Sequence, residues 1–262
     1  MLALKLLMVP FFLAVISIIA KRYGPSMAGW VAGMPVIVGP ILFLLALEHG
    51  TVFAGGAALF TLTSVFTVIA FGLGYAWTAR RSNWGAALAV GLVAWLAAAM
   101  LVAANPLPLF GAVMLVLALL VIGPRLYPKI NSASADAPSA LPPGELLLRM
   151  AIGAALTYGV TTFAQTVGQV WSGIAALAPV LTPVLAVFIH ARSGGAAAIA
   201  LLRSLVSGLS SLAAFCFVVA WQLATLGIAK TFLLAVVAAL VMQTATFYWR
   251  RQSAQKIRPA NS

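Results

Sequence analysis

Apolar residues in this chain come in runs of about twenty, the length that crosses a hydrocarbon core roughly 30 Å thick, and short polar interruptions separate them. The runs lack the polar face that a bundle helix in water shows every few residues. The pattern predicts an all-α, polytopic transmembrane helix bundle with nine spans, at 2–20, 28–47, 52–78, 85–104, 107–123, 146–165, 169–189, 196–222 and 229–249. The third and eighth are long enough to tilt or to extend beyond the lipid. The fifth is short and follows the turn-forming Asn105-Pro106-Leu107-Pro108.

Composition agrees: 64% of the 262 residues are hydrophobic and 7% charged, where a globular domain is about a quarter charged. The net charge of +12 sits in short basic clusters between apolar runs, as in cytoplasmic loops, and this excludes nucleic acid as a partner. Lys5 and the apolar stretch to Ala20 have the outline of a signal peptide. Lys21 and Arg22 follow at once, however, with no small-x-small cleavage site, so a retained first helix is expected. The single cysteine, Cys216, lies in an apolar run and excludes an intramolecular disulfide.

Charge also orients the spans. Lys21/Arg22, Arg80/Arg81, Arg125/Lys129 with Arg149, Arg192, and Arg250/Arg251 with Lys256/Arg258 flank alternate span ends. The opposite ends hold only Lys5 and Lys230 as bases. Nine spans with the N-terminus outside and the C-terminus cytoplasmic satisfy the positive-inside rule, whereas eight or ten put a basic pair on the wrong side. Trp77, Trp84 and Trp249 fall at inner ends, Trp171 and Trp221 at outer ends.

The chain resembles itself at an offset of 144: Gly24, Gly29 and Pro35 fall on Gly168, Gly173 and Pro179, Thr63 and Thr67 on Ser207 and Ser211, and Trp77 on Trp221. Pro40 and Pro183 correspond one residue out of register. This predicts a first four-helix repeat at 1–104, a second at 146–262 with a basic tail, and between them a connector at 105–145 with one helix and a Ser/Ala/Pro-rich linker. One odd connecting helix would reverse the second unit in the membrane. Inverted repeats of this kind build many transporters, with the solute at the midplane beside interrupted helices. Pro35 and Pro40 in one half and Pro179 and Pro183 in the other mark such interruptions, because each proline removes an amide donor. Shaping of helix packing is the alternative role for these prolines.

Arg203, about 10 Å inside the eighth span at 1.5 Å per residue, is the first candidate for binding a solute. Its guanidinium could take a carboxylate or phosphate by a paired fork, or its stem could carry the charge back to the headgroups. Thr63 and Thr67, Ser207 and Ser211 with Ser204, and Thr157 and Thr161 with Gln165 share helix faces. They could hold a polar solute or bond their own helices. Gln243 is a further candidate. The carboxylates Glu48, Asp136 and Glu145 all lie away from mid-membrane, which argues against a proton pump working through a buried acid. The sequence holds no paired carboxylates, metal-ligand cluster, nucleophile elbow or phosphate loop, so an enzyme, a metal or a cofactor is not expected.

The four-helix unit with Gly-x4-Gly-x5-Pro entering its second helix resembles small bacterial inner-membrane proteins of the GlpM-like type, here present twice outside 105–145. That resemblance implies a helix bundle and no particular activity. Opposed four-helix units are also similar to small drug and metabolite exporters, but those carry a glutamate in the first helix that this chain lacks. The function expected is an inner-membrane permease for a small polar or anionic solute engaged by Arg203, with the lipid bilayer as its other partner and self-association left open. The alternative is a non-transporting membrane scaffold for an envelope or lipid-handling assembly.

Overall fold

Without water to satisfy backbone N–H and C=O groups, an apolar run closes those bonds within itself as a helix. A computed structural model of the chain describes residues 2–130, 144–166 and 180–256. Its elements in order are α1 (Leu2–Tyr23), α2 (Pro25–Ala32), α3 (Val38–His49), α4 (Thr51–Thr63), α5 (Val65–Ala79), α6 (Trp84–Ala104), α7 (Leu109–Leu126), α8 (Glu145–Thr166), α9 (Leu181–Leu226) and α10 (Ile228–Lys256). Among the described residues there is no strand, and five helical stretches are long and apolar enough to cross a membrane: Thr51–Ala79, Trp84–Ala104, Leu109–Leu126, Leu181–Leu226 and Ile228–Trp249. The short fifth span of the sequence is thus a full helix, beginning two residues later than expected. The expected seventh span lies partly outside the described residues.

Two expected spans are jointed, and two others are joined. The second is broken between Ala32 and Val38 into α2 and α3. The third bends at Ser64, where the hydroxyls of Thr61, Thr63 and Ser64 all bond carbonyls four residues back, a habit that bends helices. The seventh and eighth run together as α9 but meet at Gly194, whose φ of 82 and ψ of 172 are not helical. Gly50, between α3 and α4, has φ 84 and ψ 169. This region of backbone space is open essentially only to glycine.

The long arm of α9, 195–226, is the central element. It packs on α2, α4, α5, α6, α7 and α10, and most of its side chains are buried. It runs antiparallel to α4 and α5. A Cβ on Gly195 would collide with the Ala79 carbonyl at one end, and one on Gly55 would stand 4.0 Å from the Ala220 carbonyl at the other. The pair α1 and α8 is antiparallel too: Ser17 meets Arg149, and Leu13 and Val9 cover Gly153. The outer surface is apolar, with Phe110, Val93 and Leu233 each at least 68% exposed. Water disfavours such contiguous surface and lipid accepts it. Trp77, Trp84, Trp221 and Trp249 are also exposed, as tryptophans of a membrane interface are.

Candidate functional site

Close backbone contact sets the position of the break between α2 and α3. A Cβ on Gly29 would collide with the Leu201 carbonyl, one on Gly33 with the backbone of Gly208, and one on Gly208 with the Trp30 carbonyl. With glycines at the crossing and only the small Ser204 side chain beside Gly29, α2 and α9 cross nearly backbone to backbone, as small residues allow in membranes. Beyond this crossing Pro35 has no N–H to continue the helix, and Gly39 N instead bonds Pro35 O at 2.8 Å. Pro40 is the third residue of α3, inside the first turn, where a helix leaves N–H groups without partners in any case. The break therefore costs little locally.

Beside it lies a groove of about 400 Å³. The break and the start of α3 supply Met34, Pro35, Val36, Gly39 and Pro40, and α10 supplies Val236, Ala239 and Leu240. Phe43 and Phe215 close it around Phe232, with ring centroids 5.1 and 5.9 Å from that ring, edge to face. Its lining is almost wholly apolar.

Pro35 and Pro40 thus lie together at one site. In the second half Pro183 is the third residue of α9, as Pro40 is of α3, and the residues before these helices are alike, Ile37 with φ −100 and ψ −45 and Val180 with φ −82 and ψ −50. Pro183 is buried. Pro179, Gly168 and Gly173 lie outside the described residues. The hydroxyls bond their own helices: Thr63 to Leu59 O, Thr67 to Ser64 O, Ser207 to Ser204 O, Ser211 to Gly208 O, Ser204 to Leu201 O and Thr157 to Gly153 O, at 2.7–3.0 Å. They are not convergent around the groove. Arg203 is exposed on α9 and does not line the groove. Glu48 and His49 are exposed, and the His49 ring stacks on Phe53 at 5.0 Å.

The buried arginine is a different one. Arg149, 1% exposed, sets Nε 3.1 Å from Glu145 Oε1, adds a second bond to the same oxygen through Nη2, and reaches Ser17 Oγ with Nη1 at 3.0 Å. Its guanidinium lies 4.9 Å from the centre of the Phe188 ring. Arg192 Nε bonds Glu145 Oε2 at 2.9 Å, its side chain 48% exposed. One carboxylate thus serves two guanidiniums and ties α8 to α1 and to α9. The spacing of Glu145 and Arg149, four apart at a helix start, was the signal for this cluster. Glu145 falls at the end of the connector at 105–145 and Arg149 at the cytoplasmic end of the sixth expected span, 146–165. Nearby, Tyr75 Oη and His190 Nδ1 are 3.1 Å apart.

Gln243 also gains a setting. It is 4% exposed, and its Nε2 donates to Trp30 O at 3.2 Å, while the Trp30 indole donates to Thr246 Oγ1 at 3.2 Å. Gln243 Oε1 is buried and has no donor among the described residues. The comparisons with known proteins add no relative: no family model, curated protein or solved structure matches the chain.

Proposed function

We propose that the chain is an integral inner-membrane permease of two opposed four-helix units, 1–104 and 146–262, joined through 105–145, and that its solute passes beside the break between α2 and α3. The observation that carries this is a set of matched features in an antiparallel frame. Pro40 and Pro183 hold one helical position, Gly50 and Gly194 one rare backbone conformation, and the helices that follow those glycines cross antiparallel. Two units inverted about an axis in the membrane plane require that relation, and units related by translation forbid it. An interrupted helix is then where the solute belongs.

The solute is small and largely apolar. The polar or anionic solute expected on account of Arg203 fits less well, because Arg203 is not among the residues that line the groove and Arg149 is already held by Glu145. A non-transporting scaffold is the second reading, favoured by the Thr63, Thr67, Ser207 and Ser211 hydroxyls, which donate to carbonyls of their own helical stretches. One experiment separates the two. Val36→Cys in a Cys216→Ala background is placed in sealed vesicles of either orientation and treated with an impermeant maleimide. A permease exposes position 36 to both sides in turn, so both preparations label. No labelling in either is the scaffold's result.

A further inference from the structure

The indole of Trp77 joins two helices at the ends expected to face the cytoplasm. α7 ends at Leu126, and the last carbonyls of a helix have no partner within it. Trp77 Nε1 donates to one of them, Leu126 O, at 3.0 Å, across the contact of α5 with α7. The Arg80 guanidinium lies 5.4 Å from the centre of the same indole ring. One exposed tryptophan thus keeps Arg80 at the turn of α7 that carries Arg125. Arg125 itself reaches back along its helix, Nη1 donating to Val121 O at 2.6 Å, which leaves over most of the five donors of a guanidinium. Among the described residues both ion pairs belong to Glu145, so neither Arg80 nor Arg125 has a carboxylate partner there. Arg125 also ends an apolar stripe. Val121, Leu117, Met114 and Phe110 precede it at the spacing of one helical face, and each is at least 49% exposed. From Met114 to Arg125 is about 16 Å at 1.5 Å per residue, one leaflet of a core roughly 30 Å thick.

We propose that this corner of α5 and α7 binds an anionic phospholipid, its phosphate held by Arg125 and Arg80 and an acyl chain lying along Val121, Leu117 and Met114. A guanidinium fork matches a phosphate, and basic sites between helices at the cytoplasmic face take anionic headgroups in this way. A zwitterionic lipid brings a cation of its own toward two guanidiniums and gives back part of the attraction. A free phosphate would meet the same arginines and leave the apolar stripe unused. The site needs the chain to lie in a membrane and needs no transport. It therefore goes beyond the permease reading and stands equally for a scaffold.

The test is native mass spectrometry of the full chain in detergent, with dioleoyl lipids added. Phosphatidylglycerol should bind at least about fivefold more tightly than phosphatidylcholine of the same chains. Arg80→Gln with Arg125→Gln should bring that preference down to about twofold or less. Lys21→Gln with Arg22→Gln, which removes the same charge from the exposed end of α1, should leave it unaltered. Equal losses in the two double variants would mean a diffuse basic surface and overturn the site. Equal binding of the two lipids by the unaltered chain overturns it without recourse to any variant. Displacement of phosphatidylglycerol by an equimolar amount of inorganic phosphate would assign a free anion in place of the lipid, and overturns the proposal too. In nanodiscs, phosphatidylglycerol with a diazirine at the end of one acyl chain should label α7 near Met114, and labelling spread evenly over Val93 and Leu233 would contradict that placement. Whether position 36 is reached from both sides of the membrane decides the permease reading separately.

Discussion

Gly50 and Gly194 stand 144 residues apart and hold the same glycine-only backbone, φ 84 and ψ 169 against φ 82 and ψ 172. Each starts a long helix of its half, and the two helices cross in opposite directions. Nothing lies within 4 Å of a Cβ at either glycine, so alanine there is penalised by the backbone alone. Gly50→Ala and Gly194→Ala should each destabilise the protein by about 1–3 kcal/mol, by similar amounts, in denaturant titrations of the detergent-solubilised chain. A neutral Gly194→Ala beside a damaging Gly50→Ala would break the equivalence.

The crossing of α2 and α9 makes a different demand, for space. A Cβ at Gly208 would strike the Trp30 carbonyl, which a side-chain shift cannot relieve. Gly208→Ala should cost about 1–3 kcal/mol as overpacking, read as a lowered melting temperature in detergent. Gly56→Ala, where a Cβ meets nothing within 4 Å, should be neutral or better, since alanine is the stronger helix former by about 1 kcal/mol.

The Glu145 cluster yields an asymmetric series. Glu145→Leu strands Arg149, which is 1% exposed, as an uncompensated buried charge at a cost of about 3–5 kcal/mol. The double variant Glu145→Leu with Arg149→Leu should recover most of that. Arg192→Ala should cost about 0–1 kcal/mol, because its side chain is 48% exposed. Equal losses from Arg192→Ala and Glu145→Leu would contradict the assignment of Arg149 as the buried partner.

Arg203, exposed on α9, should tolerate replacement: Arg203→Leu should change stability by no more than about 0.5 kcal/mol and leave maleimide labelling of the Val36→Cys variant unaltered. A loss of that labelling would return Arg203 to the site.

Helix existence and the place of the break were legible because both depend on composition along the chain: apolar runs of membrane length, and Pro35 and Pro40 in the middle of one. Helix rotation was not legible. These helices are apolar on every side, so no polar stripe tells which face turns inward, and Arg149 and Arg203 look alike in sequence. Their partners decide: Glu145 and Ser17 are in reach of one, while the other is exposed. The joint at Ser64 was hidden for a similar reason, since a hydroxyl that bonds its own helix and one that faces a solute share the same spacing. Gln243 was one polar candidate among several in the sequence, and its partner was not legible there, because Trp30, which engages its nitrogen and leaves its oxygen unmatched, is far off along the chain.

The central claim is that the two halves are opposed in the membrane, and a topology map of two exposed positions tests it most directly. Ser82, before α6, and Thr225, before α10, are both exposed and stand at corresponding places in the two units. Each is replaced singly by cysteine in a Cys216→Ala background and treated with an impermeant maleimide on intact cells and after lysis. Opposed halves predict that position 225 labels on intact cells and position 82 only after lysis. The same behaviour at both positions would mean parallel halves, and the permease reading would lose the frame it is built on.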